Sequence, residues 1–197
     1  TRRIRFQKVT EQTSLHERLD EKSVGELLYE MNEEDQKVAL AVKAAIPQIE
    51  KLVEGIVPRM KQGGRIFYMG AGTSGRLGVL DASEIPPTFG MPPTYVIGLI
   101  AGGDNALRNP IEKAEDDPEK SWQELLDHDI TPLVTVIGIA ASGTTPYVIG
   151  ALEHAREFGC LTGSISCNPD SPVSQAAEIG IEAVVGPDIP SERVHAQ

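Results

Sequence analysis

Residues 65–87 carry the sequence RIFYMGAGTSGRLGVLDASEIPP, which predicts a buried strand, a glycine turn and a helix in direct succession. Ile66–Met69 form an apolar run of strand length. The Gly70–Gly72 segment that follows can turn sharply and approach a ligand closely, because glycine has no Cβ. Pro86 and Pro87 predict the end of the helix, since proline cannot donate the backbone hydrogen bond of a helix interior.

Two hydroxyl side chains, Thr73 and Ser74, stand where this helix is expected to begin, and both residue types favour the N-cap position. A helix that starts directly after a strand presents free N–H groups and the positive end of its dipole at one point. The sequence therefore predicts an anion site lined by Gly72, Thr73, Ser74 and Gly75.

Two other interpretations of this loop remain open. Gly70, Gly72 and Gly75 fit the pattern G-x-G-x-x-G of dinucleotide-binding folds. Such a fold also needs an acid at the end of its second strand to hold a ribose hydroxyl, whereas the predicted second strand, Thr94–Gly98, ends in glycine. The two adjacent hydroxyls suit a phosphate monoester better than a pyrophosphate. A tight turn without any ligand is the remaining interpretation.

A second loop of the same kind follows the β-branched run Val134–Ala140, which predicts a fully buried central strand. This loop contains Ser142, Gly143, Thr144 and Thr145. Because ligands of open α/β sheets bind at the carboxyl ends of strands, the two loops are expected to meet there. Together they could saturate a phosphate with neutral donors, although each loop alone is equally compatible with a simple helix cap.

The alternation of strands and helices predicts an α/β fold with a three-layer, doubly wound parallel sheet of five strands. The later strands are expected at residues 162–166 and 181–185, and the later helices at residues 112–129 (broken near Pro118), 147–158 and 171–178. Residues 1–58 are predicted as an N-terminal helical extension and residues 59–197 as the α/β domain. In the extension we expect a helix at Ser23–Tyr29 with a Ser23–Glu26 capping box, and a longer helix from Asn32 to Pro58, kinked or broken at Pro47.

The chain is acidic, with 18 basic and 29 acidic residues and a net charge of −11. Four of the basic residues and no acid lie within the first nine positions, so the remainder carries a net charge of −15. Such a body repels nucleic acid and anionic membranes, which excludes both as partners. Two cysteines, Cys160 and Cys167, favour a reduced cytoplasmic protein. The four histidines lack metal-ligand spacing, and we expect no metal.

The segment GAGTSGRLGVLDASEIPPTFG, residues 70–90, resembles the signature of the N-acetylmuramic acid 6-phosphate etherase family, which belongs to the sugar isomerase (SIS) domain superfamily. The resemblance extends over about residues 10–187, through the motifs IGLIAGGDNALR (97–108), AEDD (114–117), IGIAASGTTPYVIGAL (137–152) and CNPDSP (167–172). The regulatory protein of glucokinase is a related, non-catalytic protein. The resemblance implies an SIS domain at residues 59–197.

The resemblance also implies a site. SIS domains hold the phosphate of a phosphosugar with Ser and Thr residues of the second loop, while the first loop lines the sugar. The two catalytic glutamates of the family lie in the motifs DASE and AED, which correspond to Glu84 and Glu115. We expect Glu84, beside the first loop, to be the base and Glu115 the acid. The family needs no metal or organic cofactor, and its domains pair, so we expect a homodimer with sites near the interface.

The implied reaction is cleavage of the D-lactyl ether of N-acetylmuramic acid 6-phosphate by elimination and hydration, giving N-acetylglucosamine 6-phosphate and D-lactate. A non-catalytic phosphosugar-binding regulator and a phosphosugar isomerase are the alternatives. The family's sequences continue after VVGP through a segment resembling TGSTR-hydrophobic-KAGT, whereas this chain continues with DIPSERVHAQ (188–197). We therefore expect residues 1–197 to fold the sheet but to show little etherase activity.

Overall fold

A computed structural model describes residues 6–111, 113–187 and 189. Its centre is a five-stranded sheet in the order β2-β1-β3-β4-β5, in which every neighbouring pair is parallel. The strands are Ile66–Gly70 (β1), Val96–Ile100 (β2), Thr135–Ile139 (β3), Leu161–Ser166 (β4) and Ile179–Glu182 (β5). The helices are Val24–Lys61 (α1), Gly72–Phe89 (α2), Pro118–Leu126 (α3), Pro146–Phe158 (α4) and Pro172–Ala176 (α5). The predicted α/β class with five parallel strands is confirmed.

Helices cover both faces of the sheet, which gives the three expected layers. Phe67 and Met69 of β1 belong to a buried cluster shared with α3, α4 and α5. Tyr68, whose side chain points the opposite way along the strand, packs with Leu52 and Ile56 of α1. Gly78 lets α2 approach this second face, because a Cβ there would lie 2.8 Å from Cβ of Tyr68. β3 occupies the centre of the sheet, as its continuous β-branched run predicted.

Within the described part of the N-terminal extension, one continuous α-helix replaces the two that were predicted. The capping box at its start is confirmed: Ser23 Oγ accepts from Glu26 N, and Glu26 Oε2 accepts from Ser23 N. The predicted second start at Asn32 is wrong, because the Asn32 amide oxygen instead accepts a hydrogen bond from Gln36, one turn further along the same helix. Pro47 does not break the helix, which continues past its predicted end at Pro58 to Lys61.

Two predicted boundaries around α2 also shift. Pro86 and Pro87 do not end the helix, since both are tolerated in its last turn, and the chain leaves the helix at Gly90 with φ 66°. The strand predicted at Thr94–Gly98 lies two residues later, at Val96–Ile100. Its carboxyl end is followed by Ala101 and Gly102, so the acid that a dinucleotide-binding fold requires is missing at this place.

Three predictions involve residues outside the described part of the chain. The basic start includes positions 2, 3 and 5, the predicted acidic helix begins at Glu112, and the departure from the family sequence covers Asp188 and residues 190–197. Within the described residues, that acidic stretch forms a short 3₁₀ turn at Ala114–Asp116, followed by α3, which begins at Pro118.

Candidate functional site

The first predicted loop joins β1 to α2 at the carboxyl edge of the sheet. The approach of helix to strand is close: a Cβ on Gly75 would lie 2.7 Å from the carbonyl oxygen of Gly70. Gly75 N donates to Ala71 O at 3.1 Å, and Ala71 itself holds the N-cap position without a side-chain hydrogen bond. The capping role predicted for Thr73 and Ser74 is therefore wrong, and both residues lie in the first turn of α2.

The second loop, residues 142–145, joins β3 to α4 at the same edge, because β1 and β3 are neighbours. Ser142 Oγ accepts hydrogen bonds from both the backbone N–H and the hydroxyl of Thr144, each at 3.3 Å. Gly143 has φ 73°, and a Cβ there would lie 2.3 Å from Cβ of Ser171, so only glycine fits. Thr145 is the N-cap of α4, and Pro146 is its first residue.

Asn168 is a fully buried residue that fixes the second loop and was not singled out as a site residue from the sequence. Its amide nitrogen donates to Ala141 O at 3.0 Å, to Ser142 O at 3.1 Å and to Thr10 Oγ1 at 3.0 Å. Its amide oxygen accepts from the backbone N–H groups of Val9 and Thr10. The N-terminal segment is thus tied to the loop. In the sequence, only its place in the CNPDSP motif (167–172) pointed to Asn168.

Glu115 lines a pocket of about 200 Å³ at this edge, together with Gly72 and Arg76. The rest of its lining is apolar and consists of Ala71, Ala101, Ala106, Pro110, Ile111 and Ala114. The 3₁₀ turn that carries Glu115 packs against α4, the helix that begins directly after the second loop. The structure thus brings Glu115 together with Gly72 of the first loop and packs its 3₁₀ turn against α4.

A hydrogen bond between helices holds this region together. The buried Tyr147, one residue after Pro146 in α4, donates its hydroxyl to the Glu124 carboxylate of α3. Burial, with the neighbouring Glu124 carboxylate, raises the pKa of Tyr147 far above its ordinary value, so this hydroxyl stays a donor. Close by, a Cβ on Gly150 would lie 2.4 Å from Pro118 O, which shows how tightly α4 packs on the start of α3.

Arg76 is the second residue that the sequence did not single out. From the first turns of α2 it reaches the segment after β2, where Nε donates to Leu107 O at 3.1 Å and Nη2 to Ala106 O at 2.8 Å. Its position in the GTSGRLG motif, one residue after the last glycine of the loop, gave no indication of these distant partners. It brings a positive charge into the pocket of Glu115.

Glu84 lies elsewhere on the molecule. It is exposed in the last part of α2, twelve residues beyond Gly72, which corresponds to about 18 Å along a helix axis. It does not line the pocket of Glu115. The expectation that Glu84 stands beside the first loop is therefore wrong, because α2 carries it away from the carboxyl edge. Leu77 and Leu80, which are 56% and 58% exposed, lie on the same helix face.

Neither a metal cluster nor a membrane span is found in the described part of the chain. No group of three or more His, Cys, Asp and Glu residues there could hold a metal ion. None of the described helices is both long and apolar enough to cross a bilayer.

Fold and site together define the class of protein. The model of a family described as the N-terminal SIS domain of glucokinase regulatory protein matches residues 48–156, more than half of the chain. A phosphoheptose isomerase from Francisella tularensis superposes with a TM-score of 0.65 at 16% identity, covering 82% of this chain and 86% of that one. A protein from E. coli CFT073 superposes with a TM-score of 0.55 at 15% identity, covering 89% of this chain and 81% of that one. At these low identities, the two structures support the shared fold and say nothing about the function of this chain.

Sequence comparison narrows the class to a family. A Bacteroides fragilis protein named N-acetylmuramic acid 6-phosphate etherase is 69% identical over 93% of this chain and 65% of its own length. A Porphyromonas gingivalis protein of the same name is 68% identical over 93% of this chain and 67% of its own length. The chain belongs to the N-acetylmuramic acid 6-phosphate etherase family, and it spans about two thirds of the length of these relatives.

Proposed function

We propose that this protein is a lyase that cleaves the D-lactyl ether of N-acetylmuramic acid 6-phosphate, giving N-acetylglucosamine 6-phosphate and D-lactate. The observation that carries the proposal is the pocket that Glu115, the glutamate of the AED motif, lines together with Gly72 of the first loop. The identity of 68–69% to proteins named as this etherase supports it. No metal or organic cofactor is required by this chemistry.

The second loop would bind the phosphate of the sugar. Ser142, Gly143, Thr144 and Thr145 offer hydroxyl and N–H donors at the N-terminus of α4, whose dipole favours an anion. The first loop, Gly72, Thr73, Ser74 and Gly75, would line the sugar ring next to it. In an acidic protein such local, neutral donors are a means of capturing an anion that the overall charge repels.

The reaction proceeds from the ring-opened sugar, whose aldehyde acidifies the proton on the second carbon. A carboxylate takes this proton, the bond between the third carbon and the ether oxygen breaks, and the departing oxygen receives a proton from a second carboxyl group. Water then adds to the unsaturated aldehyde, with its hydroxyl on the third carbon and its hydrogen on the second. Two glutamates in different protonation states suffice for these transfers.

Glu115 is the better candidate for the base, which reverses the assignment expected from the sequence. That expectation rested on Glu84 standing beside the first loop, and in this structure Glu115 lines the pocket at that loop instead. The base must contact the proton on the second carbon before the ether can leave, so it belongs with the groups that hold the sugar. Glu84 is then the acid that protonates the lactate oxygen.

Glu84 would reach the pocket from a second copy of the chain. Glu84 is exposed and lies about 18 Å along α2 from Gly72, so its carboxyl group is too far away to act in the pocket of its own copy. Exposed Leu77 and Leu80 on the same face supply apolar surface for an interface. Each site of the resulting homodimer would combine Glu115 of one copy with Glu84 of the other.

Helix α1 provides further surface for a homodimer. Its apolar residues recur at alternating steps of four and three from Val24 to Ile56, with Asp35 as an interruption, but only the C-terminal half of this stripe, including Leu52 and Ile56, packs on the sheet. The N-terminal half remains exposed, at Val24, Leu28, Met31 and Val38. A two-fold pairing of copies would cover it. A monomer mass at micromolar concentration, for a polypeptide of the relatives' full length, would contradict this assembly.

A cytoplasmic role in recycling cell-wall amino sugars fits the proposed substrate, which combines a peptidoglycan sugar with a phosphate. The sequence contains only two cysteines, Cys160 and Cys167, a content typical of proteins in a reducing compartment. Removal of the lactyl group would convert the sugar into an ordinary amino sugar phosphate for general carbohydrate metabolism.

The proposal is tested by incubating a polypeptide of the relatives' full length that carries this sequence with N-acetylmuramic acid 6-phosphate in heavy water. We expect the wild type to release D-lactate and to incorporate deuterium at the second carbon. Glu115→Gln should lose both activities, since without the base no proton leaves. Glu84→Gln should lose lactate release but keep the exchange, because enolisation needs no leaving group. Exchange that survives only in Glu115→Gln would restore the opposite assignment.

A non-catalytic phosphosugar sensor is the second candidate, favoured by the match of residues 48–156 to the domain of a regulatory protein. Such a protein would bind N-acetylmuramic acid 6-phosphate without releasing D-lactate. A phosphosugar isomerase would instead convert the sugar without losing the lactyl group. The same product assay therefore separates all three functions.

A further inference from the structure

Arg76 supplies the pocket with N–H donors that have no partner among the described residues. Its half-buried guanidinium gives two of its N–H groups to the carbonyl oxygens of Ala106 and Leu107. A guanidinium carries five such groups, so three have no acceptor within the described part of the chain. This number is enough for the two-point contact that arginine makes with a carboxylate.

The positive charge of Arg76 has no carboxylate partner among the described residues, although the chain carries a net charge of −11. A partly buried charge without a counter-charge is costly, and a bound anion would relieve that cost. Glu115 lines the same pocket but forms no ion pair with Arg76 within the described structure. Both opposite charges thus line the pocket of about 200 Å³ without pairing with each other.

We infer that Arg76 binds the carboxylate of the substrate's lactyl group and thereby determines specificity, an inference that rests on the proposed function. N-acetylmuramic acid 6-phosphate carries two anionic groups, a phosphate at the sixth carbon and a carboxylate on the ether substituent of the third. The second loop accounts for the phosphate with neutral donors, which leaves the carboxylate without a partner. The planar fork of Arg76 matches that carboxylate, and holding it fixes the ether oxygen for departure.

The test uses a polypeptide of the relatives' full length that carries this sequence, and it compares two substrates. They are N-acetylmuramic acid 6-phosphate and its methyl ester at the lactyl carboxylate, which is neutral at that position. The readout is the ratio of kcat/KM for ether cleavage of the acid to that of the ester. The variants are Arg76→Gln, Arg76→Lys and, as a matched control, Arg108→Gln, which removes an exposed arginine of the neighbouring segment outside the pocket. Thermal unfolding verifies that each variant is folded.

The wild type should prefer the acid by about ten- to hundredfold, the range of a hydrogen-bonded contact to a charged group. Arg76→Gln should abolish this preference, Arg76→Lys should keep part of it, and Arg108→Gln should leave it unchanged. If Arg76 only held the segment at Ala106 and Leu107, its loss would lower both rates equally and leave the ratio intact. Arg76→Lys decides the question if Arg76→Gln does not fold, because it retains the charge without the fork.

A wild type without preference, or an Arg76 variant that keeps the wild-type ratio, would overturn this inference while the proposed function stands. A wild type that cleaves neither substrate would overturn the proposed function and the inference with it.

Discussion

Two polar side chains, the buried Asn168 and the half-buried Arg76, organise the candidate site, and both act on carbonyl oxygens of the backbone. Asn168 joins the second loop to Thr10, which lies 158 positions away in the sequence. Arg76 joins α2 to a segment 30 positions later. Contacts between residues so far apart leave no local pattern in the sequence. The two loops could be predicted because their glycines and hydroxyl residues are contiguous, whereas Asn168 and Arg76, which hold the loops in place, could not.

Ser142 is the residue of the second loop for which the structure allows the sharpest prediction. Its Oγ already accepts from the N–H and the hydroxyl of Thr144, so its own proton is available to an anion. Ser142→Ala should weaken binding of a 6-phosphosugar by about 1–3 kcal/mol, the cost of losing a hydrogen bond to a charged group. Isothermal titration measures the change, and Ser83→Ala, at an exposed hydroxyl of α2, is the control. Equal wild-type affinity for phosphorylated and unphosphorylated sugar would contradict the prediction.

Cys160 gives a prediction about pH. Burial raises the pKa of this thiol from 9.0 to about 11, and its Sγ–H donates to Thr131 O. At pH 8 its thiolate fraction should be roughly a hundredfold smaller than that of an ordinary cysteine, which slows alkylation by iodoacetamide to a similar degree. The pKa of Cys160 is higher in the folded protein than in the unfolded chain. The neutral thiol therefore contributes its full share to the free energy of unfolding below about pH 9, and this contribution is lost as the pH rises toward 11. Alkylation of Cys160 in the native protein at the rate of the unfolded chain would contradict this.

At the scale of elements, the sequence predicted the strands and helices well and their ends less well. The strands β1 and β3 follow from short apolar or β-branched runs, which are a strong local signal. The ends of helices depend on competing partners: Asn32 could have capped a new helix, but its side chain bonds within the existing one. Prolines were given too much weight, since Pro47, Pro86 and Pro87 all lie inside helices.

The contact between β1 and α2 can be tested with a pair of glycines that should respond in opposite directions. A Cβ on Gly75 would lie 2.7 Å from Gly70 O and 2.6 Å from Cγ1 of Ile100. Gly75→Ala should therefore lower the free energy of unfolding by about 1–3 kcal/mol, the usual cost of overpacking. Gly25, near the start of α1, has nothing within 4 Å of its Cβ position. Gly25→Ala should be neutral or stabilise by up to about 1 kcal/mol, because alanine is the better helix former. Urea unfolding measures both changes, and equal effects would show that the close approach is unimportant.

At the scale of the whole molecule, the fold explains why two glutamates of neighbouring motifs lie apart. α2 begins at the first loop and carries Glu84 away from it, whereas the chain returns to the same edge at Glu115 after β2. The predicted helix already contained Glu84, so its distance from the first loop could be derived from the sequence. The return of the chain to the same edge at Glu115 depends on the path after β2, which has no local signal. The exposed apolar residues on α1 and α2 are the feature that a second copy would explain.

Mixing two inactive variants tests the proposed composite site most directly. In polypeptides of the relatives' full length, Glu84→Gln and Glu115→Gln should each release no D-lactate alone. If each site takes one glutamate from each copy, a mixed dimer contains one site with both glutamates intact. Refolding the variants together in equal amounts should then restore about a quarter of the wild-type rate of D-lactate release, because half of the dimers are mixed and half of their sites are complete. Under the same conditions, no D-lactate release from mixed dimers, with an active wild type, would show that both glutamates act within one copy and would contradict the account.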